Sequence, residues 1–511
     1  MQHARSRVWS VVLLAVTALA LGPVLVPLAV GGVRALAGGR VAAAHGIGFT
    51  VGVAVLIGLL ATAIAWMPAR VLARGGKFGL VVFVPVFMPP YLIFAGYGMM
   101  RDPSWWLGDR LTQLAAQGHA WVTIWFGYAL AILGMALWSF PIAAVVLAGG
   151  FRARGREVDD LLRLDAGLVR RTVTRVSMHR AAVVAAVALV ALLMIGSAVP
   201  LHLAQIPTMA IGLWRQLNET GAAQWNGVWV SGWPLMALAV VGAVWLARWL
   251  ERGAEGADDG RAAPVSRLTG LLAWVVWAAA AVVPVGLFLA SLRRFGSLGE
   301  FWRLSGEGVL VAAGYGAADA LVCLAIAMVA AMVAGSGGRG ARWTIRLTLG
   351  LWVFAAIIPG VFVGSALARL GTDLPRGWGD GLVVAAHVVR FGAIAVLAGV
   401  VIGRSEPPDR RDLRLLDDAT GLVGWWRACV PWQLPALVGA ALAVGLLGMH
   451  EIEATVLLLV PGRANLAQQI LDYLHFSRTE ELSAAAAILM STGLLFAGIV
   501  SMLVNPRNRA S

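Results

Sequence analysis

Only two cysteines occur in 511 residues, Cys323 and Cys429. Both fall in the C-terminal half, and one widely spaced pair makes neither a disulfide framework nor a cysteine-based metal spacing. Charge is sparse too, at 13% of residues, and Lys77 is the single lysine among 40 basic residues. That lysine sits in Gly75-Gly76-Lys77-Phe78, without the Gly-x-x-x-x-Gly-Lys-Ser/Thr spacing that cradles nucleotide phosphates. No large extramembrane catalytic loop, acid–histidine cluster or nucleophile constellation is evident either. The chain is therefore not expected to be an enzyme, and no metal or cofactor is expected on it.

Apolar residues are what the chain has in excess. They make up 60% of it, and the mean hydropathy is +0.81. A water-soluble protein could not cover its surface with the remainder, so the solvent for most of the chain is lipid. In a soluble protein the net charge of +14 would suggest nucleic acid. Here the bias of arginine toward cytoplasmic loops accounts for it, and no nucleic-acid partner is expected.

A helix needs roughly 20 apolar residues to cross the hydrocarbon core. Such stretches lie near 10–33, 47–69, 78–100, 121–149, 181–200 and 227–248, then near 268–291, 308–334, 345–368, 381–403, 435–458 and 482–503. The expected fold is an all-α integral membrane protein of twelve transmembrane helices in two six-helix repeats. The run 8–37 is too long for a signal peptide and reads as an uncleaved first span. With both termini in the cytoplasm, the cytoplasmic segments hold more than twice as many basic residues as the opposite side. The first repeat covers 1–250, a polar cytoplasmic linker 251–267, and the second repeat 268–511.

Each repeat carries one long arginine-rich loop after its fourth span, at about 151–180 and about 404–434. The loops share a layout of acidic residues and leucines at helical spacing. Their candidate contact residues are Asp160, Leu161, Leu164, Asp165 and Gly167 in the first, and Asp412, Leu413, Leu416, Asp417 and Gly421 in the second. Short amphipathic helices of this kind dock in a partner's groove or lie on anionic lipid. Matched sockets at equivalent positions suit a dimeric partner.

The spans hold their own signals. Pro89-Pro90-Tyr91 interrupts span three, and Pro359-Gly360 interrupts span nine. Such breaks are either packing kinks or markers of a pathway at the repeat interface. Arg390 lies mid-span with His387 three residues earlier on the same face, and Asp319 in span eight is a candidate to neutralise it. Glu451 and Glu453 lie toward the outer end of span eleven. On a regular helix their i, i+2 spacing puts them on different faces, and outer water is within their reach. Together Pro89, Pro90, Tyr91, Asp319, Pro359, Gly360, His387, Arg390, Glu451 and Glu453 are pathway candidates. The competing reading of the charges is an interhelical pair that holds the bundle.

Several segments resemble the inner-membrane permease of a binding-protein-dependent ABC importer, in the fused two-repeat form of the ferric-iron, thiamine and aminoethylphosphonate type. Glu451-Ile452-Glu453-Ala454-Thr455, then Pro461-Gly462, is similar to that group's Glu-Leu-Gly-Ala-Thr and Pro-Gly. Gln469-Ile470-Leu471-Asp472-Tyr473-Leu474-His475-Phe476 resembles its Arg-Ile-Tyr-x-Leu-Leu-His-Tyr. Arg390-Phe391, Pro359-Gly360 and Pro89-Pro90-Tyr91 match too. The loops keep an acidic start and a Leu-Asp pair but depart at the family's Ala-Ala and glycine. The resemblance implies a multi-pass protein of the bacterial inner membrane. It also implies an ATP-binding-cassette ATPase dimer on the cytoplasmic face, an extracytoplasmic solute-binding protein and lipid as partners. The cargo would be a small solute, iron(III)-like, thiamine-like or phosphonate-like. The alternative is a twelve-span secondary transporter driven by an ion gradient.

Overall fold

The computed structural model describes residues 2–37, 46–75, 78–152, 167–220, 225–255, 265–292, 294, 296–336, 338–375, 377–407, 409–410, 412–413, 422–458, 460, 462–464, 466–475 and 479–504. Among these, helices and short turns account for the chain, with no strand. Among the described residues, eight helices are long and apolar enough to cross a membrane, or nine if one bent pair counts as a span. The protein is an all-α, multi-pass membrane protein.

Long uninterrupted helices run where hydropathy places them: Gln2–Ala37, Ile47–Arg74, Ala120–Arg152, Arg267–Ser291, Gly296–Gly335, Gly379–Arg404 and Thr479–Val504. Length and composition do not resolve all twelve stretches as spans, because hydropathy runs on through breaks in the backbone. The stretch 78–100 is divided into Phe78–Val81, a 3-10 turn Val84–Phe87, and Pro90–Gly98. Pro85, Pro89 and Pro90 lack the N–H that a continuous helix requires, and Pro90 holds Pro89 extended at φ −58°, ψ 125°. The stretch 345–368 is divided at Pro359, which holds Ile358 extended at ψ 142°. Helices Arg339–Ile357 and Gly360–Asp373 meet there at 99°. The fifth stretch is a helix of only 16 residues, Arg180–Ile195, followed by the short Val199–Leu203. The eleventh ends as a helix at Met449, and a 3-10 turn, Thr455–Leu458, follows a non-helical passage.

Packing follows one plan in both halves. Ile47–Arg74 lies against Ala120–Arg152 and Arg180–Ile195, as Gly296–Gly335 lies against Gly379–Arg404 and Val430–Met449. The leading helices cross over. Gln2–Ala37 packs on Gly296–Gly335, Arg339–Ile357 and Gly360–Asp373, while Arg267–Ser291 packs on Ile47–Arg74 and Pro90–Gly98. Lipid supplies no hydrophobic drive between helices, so small residues set the approach. A Cβ on Gly316 would lie 2.6 Å from the Gly445 carbonyl oxygen, so no larger residue fits that crossing.

The loops are described in part. Gly167 caps the start of the Leu168–Met178 helix in extended conformation. Asp412 and Leu413 are helical and exposed. Asp160, Leu161, Leu164, Asp165, Leu416, Asp417 and Gly421 lie outside the described residues. Within the second loop, Trp425 is buried against Met332 and Val430, and Trp426 is exposed.

Candidate functional site

The break at Pro359 and the helix end at Met449 meet in the interior around five titratable side chains. Asp319 comes from Gly296–Gly335, and His387 and Arg390 from Gly379–Arg404. Glu451 and Glu453 come from the non-helical passage after Met449. All but Arg390 are buried, and the Arg390 side chain is 14% exposed.

Two pairings differ from those expected. Asp319 does not neutralise Arg390; its Oδ2 lies 2.8 Å from His387 Nδ1. Arg390 instead donates from a terminal guanidinium nitrogen to Glu453 Oε2 at 3.2 Å, and its Nε lies 3.8 Å from Glu451 Oε1. The two glutamates do not diverge toward outer water. The helix has already ended, so helical spacing does not apply, and both carboxylates turn inward to the same arginine.

Backbone left unpaired by the breaks completes the cluster. Arg390 donates its other terminal nitrogen to the Ile358 carbonyl at 2.9 Å, the group stranded just before Pro359. Glu453 Oε2 accepts the Gly360 N–H at 3.3 Å. Its Oε1 accepts the N–H groups of Ala198 at 2.6 Å and Val199 at 3.3 Å, in the first half of the chain. Glu453 therefore ties three segments and both halves together. Glu451 closes its own turn, accepting from the Ala454 and Thr455 N–H groups at 2.9 Å and the Thr455 hydroxyl at 2.8 Å. An ionised carboxylate is tolerated in a dry interior when N–H dipoles and a cation surround it in this way.

Pro89, Pro90 and Tyr91 contribute no charge to the cluster. The Met88 carbonyl before that break accepts the Trp138 indole N–H at 2.9 Å. Tyr91 is buried within electrostatic reach of Glu451. Gly448 leaves room for the Asp319–His387 pair, since a Cβ there would strike Asp319 Oδ2 and lie 3.1 Å from His387 Nδ1.

Next to Glu453 lies a cavity of about 20 Å³, room for a single water. Both halves line it, with Ala198, Val199 and Trp214 from the first and Val361, Ile452 and Glu453 from the second. At its edge the His202 and His475 rings stand 5.5 Å apart between centroids. Burial lowers His202 below the ordinary imidazole range, with His475 and Arg215 adding to the effect. His475 Nδ1 bonds the Leu471 carbonyl at 2.9 Å. Among the described residues no group of three or more His, Cys, Asp or Glu is placed to hold a metal ion.

Sequence reasoning passed over Trp138, Thr455, Gly448 and His202 as site residues. A tryptophan in mid-span needs a partner for its N–H in lipid, which is a signal for Trp138. Thr455 and Gly448 become visible only once the packing of three helices is known. Comparison of the chain with protein-family models, with curated proteins and with solved structures finds no match in any of the three.

Proposed function

We propose that the chain is the transmembrane permease of an ATP-driven importer, two six-span copies in one polypeptide, moving a small solute inward. A separate ATP-binding-cassette dimer would grip the two arginine-rich loops from the cytoplasm, and a solute-binding protein would deliver cargo outside. Iron(III)-like, thiamine-like and phosphonate-like solutes are the cargo classes in view. Both termini are placed in the cytoplasm of a bacterial inner membrane.

The observation that carries this reading is the seam at Glu453. One carboxylate holds N–H groups of the first half and the Gly360–Arg390 corner of the second, beside a cavity lined from both sides. Separating the halves breaks the seam and widens the cavity, which is what alternating access requires at broken helices. The matched packing plan and the crossed-over leading helices support a duplicated unit. The test is capture of an ABC ATPase by the full chain, compared with Asp160→Arg and Asp412→Arg. Reversal at both positions is expected to abolish capture; equal capture by wild type and the double variant contradicts the loop assignment.

One observation favours a second reading, a carrier driven by an ion gradient: a buried histidine–aspartate pair at 2.8 Å is a natural site for a coupling ion. Uptake that persists in vesicles with no ATPase present distinguishes it.

A further inference from the structure

Three consecutive hydrogen bonds run through the buried cluster. Asp319 Oδ2 lies 2.8 Å from His387 Nδ1, His387 Nε2 lies 2.9 Å from Thr455 Oγ1, and Thr455 Oγ1 lies 2.8 Å from Glu451 Oε2. The carboxylate of Glu451 can only accept, so the Thr455 hydroxyl donates to it. With its one proton committed there, Thr455 Oγ1 must accept from His387, which makes Nε2 an N–H. The Nδ1–Asp319 line then still needs a proton between its two atoms. The bonding pattern thus requires two protons on the pair, one on Nε2 and one shared between Nδ1 and Asp319. With both in place the pair is neutral overall. Asp319 Oδ1, in a residue with no exposed surface, has no hydrogen-bond partner, which suits a neutral pair better than a bare carboxylate.

We infer that Asp319 and His387 form a proton-binding site, and that its occupancy sets which acceptor the Thr455 hydroxyl serves. When one proton leaves for water, the other sits on Nδ1 and is donated to the Asp319 carboxylate. Nε2 becomes a lone-pair acceptor, and the Thr455 O–H turns from Glu451 to Nε2. The pair then carries one negative charge, and Glu451 keeps only its backbone N–H donors beside Arg390. Glu451 adjoins Ile452 and Glu453, which line the cavity. The proton is therefore linked to the seam between the halves.

Several titratable groups stand around the pair; His450 is buried next in sequence to Glu451, and Tyr91 is buried within electrostatic reach of Glu451. Glu451 lies across Thr455, and Arg390 lies one turn along from His387. Cys323 is on the same helix as Asp319. The Tyr315 ring is 6.4 Å from the His387 ring, with its hydroxyl committed to Asp380.

The test uses the full chain in lipid nanodiscs with ¹⁵N-labelled histidine, followed by NMR and infrared spectroscopy over the pH range in which the protein stays folded. His387→Gln assigns the imidazole signals and Glu451→Gln the carboxylate band. In the wild type, His387 Nε2 is expected to pass from N–H to lone pair in one transition, with the Glu451 band shifting in step. Thr455→Val, nearly isosteric, is expected to keep the imidazole transition and to lose the part of the carboxylate shift that the hydroxyl bond supplies. Asp319→Asn removes the carboxylate that shares the proton; its amide either donates to Nδ1 or accepts from it, and the coupled transition is expected to be lost. An unchanging His387, or a Glu451 shift as large in Thr455→Val as in the wild type, overturns the inference. No ATPase takes part, so this result and the importer reading stand or fall separately.

Discussion

Met88 and Ile358 each precede a proline that ends a helix, and each is left with a carbonyl that needs a donor. At Met88 the donor is the Trp138 indole, at 2.9 Å; at Ile358 it is the Arg390 guanidinium, also at 2.9 Å. The neutral donor closes its break with one bond and needs nothing further. The charged donor has to be balanced in a dry interior, and Glu453 and Glu451 supply the balance. One break is thereby a packing joint, and the other becomes the centre of a polar cluster reaching Ala198 and Val199 in the opposite half. Similar backbone devices can thus take different roles according to the side chain that repairs them.

The largest effect that separates the breaks is expected for Arg390→Ala. It strands the Ile358 carbonyl and removes the cation from Glu453, a loss of about 3–5 kcal/mol for a broken buried pair. Thermal unfolding of the purified protein in detergent reads it, and a loss equal to that of a Trp138 variant would erase the distinction between charged and neutral repair. Glu453→Gln comes next. It keeps the shape and removes the charge shared by four donors, for about 1.5–3 kcal/mol. Because Glu453 spans both halves, limited proteolysis between them should also speed up, and unchanged cleavage would deny it the bridging role.

Trp138→Phe leaves the Met88 carbonyl without its donor and should cost about 1–2 kcal/mol, within the range for one unsatisfied neutral group. A Phe variant as damaging as Arg390→Ala would mean that the first break carries more than packing. The smallest effect concerns pH at the cavity edge. Folded His202 resists protonation, whereas the unfolded chain takes up a proton near the ordinary value of about 6.5. Its contribution to stability is therefore complete above that value and declines as pH falls below it. His202→Gln should flatten the acid side of the unfolding-temperature profile; an unchanged profile shows that the histidine pair does not influence folding.

Much of this was readable from composition and spacing. Uninterrupted apolar runs such as 268–291 and 381–403 are the helices Arg267–Ser291 and Gly379–Arg404. Pro359 marks a real change of direction, because a proline fixes both its own backbone and that of Ile358. Hydropathy does not register a backbone break among apolar residues, so the division of 78–100 and the early end of the helix at Met449 were hidden. That end decides the site. Periodicity placed Glu451 and Glu453 on different faces, which holds only while the helix continues. Intramembrane charge singled out Asp319, His387, Arg390 and both glutamates. Which acid meets which base depends on how Gly296–Gly335, Gly379–Arg404 and Val430–Met449 cross, and no one-dimensional pattern contains that.

Native mass spectrometry of the full chain, extracted gently from its own membrane, tests the importer reading most directly. A mass equal to one copy of this 53.7 kDa chain plus two copies of an ABC ATPase is expected. A chain that leaves the membrane with no nucleotide-hydrolysing subunit, yet still carries solute in vesicles, would contradict it.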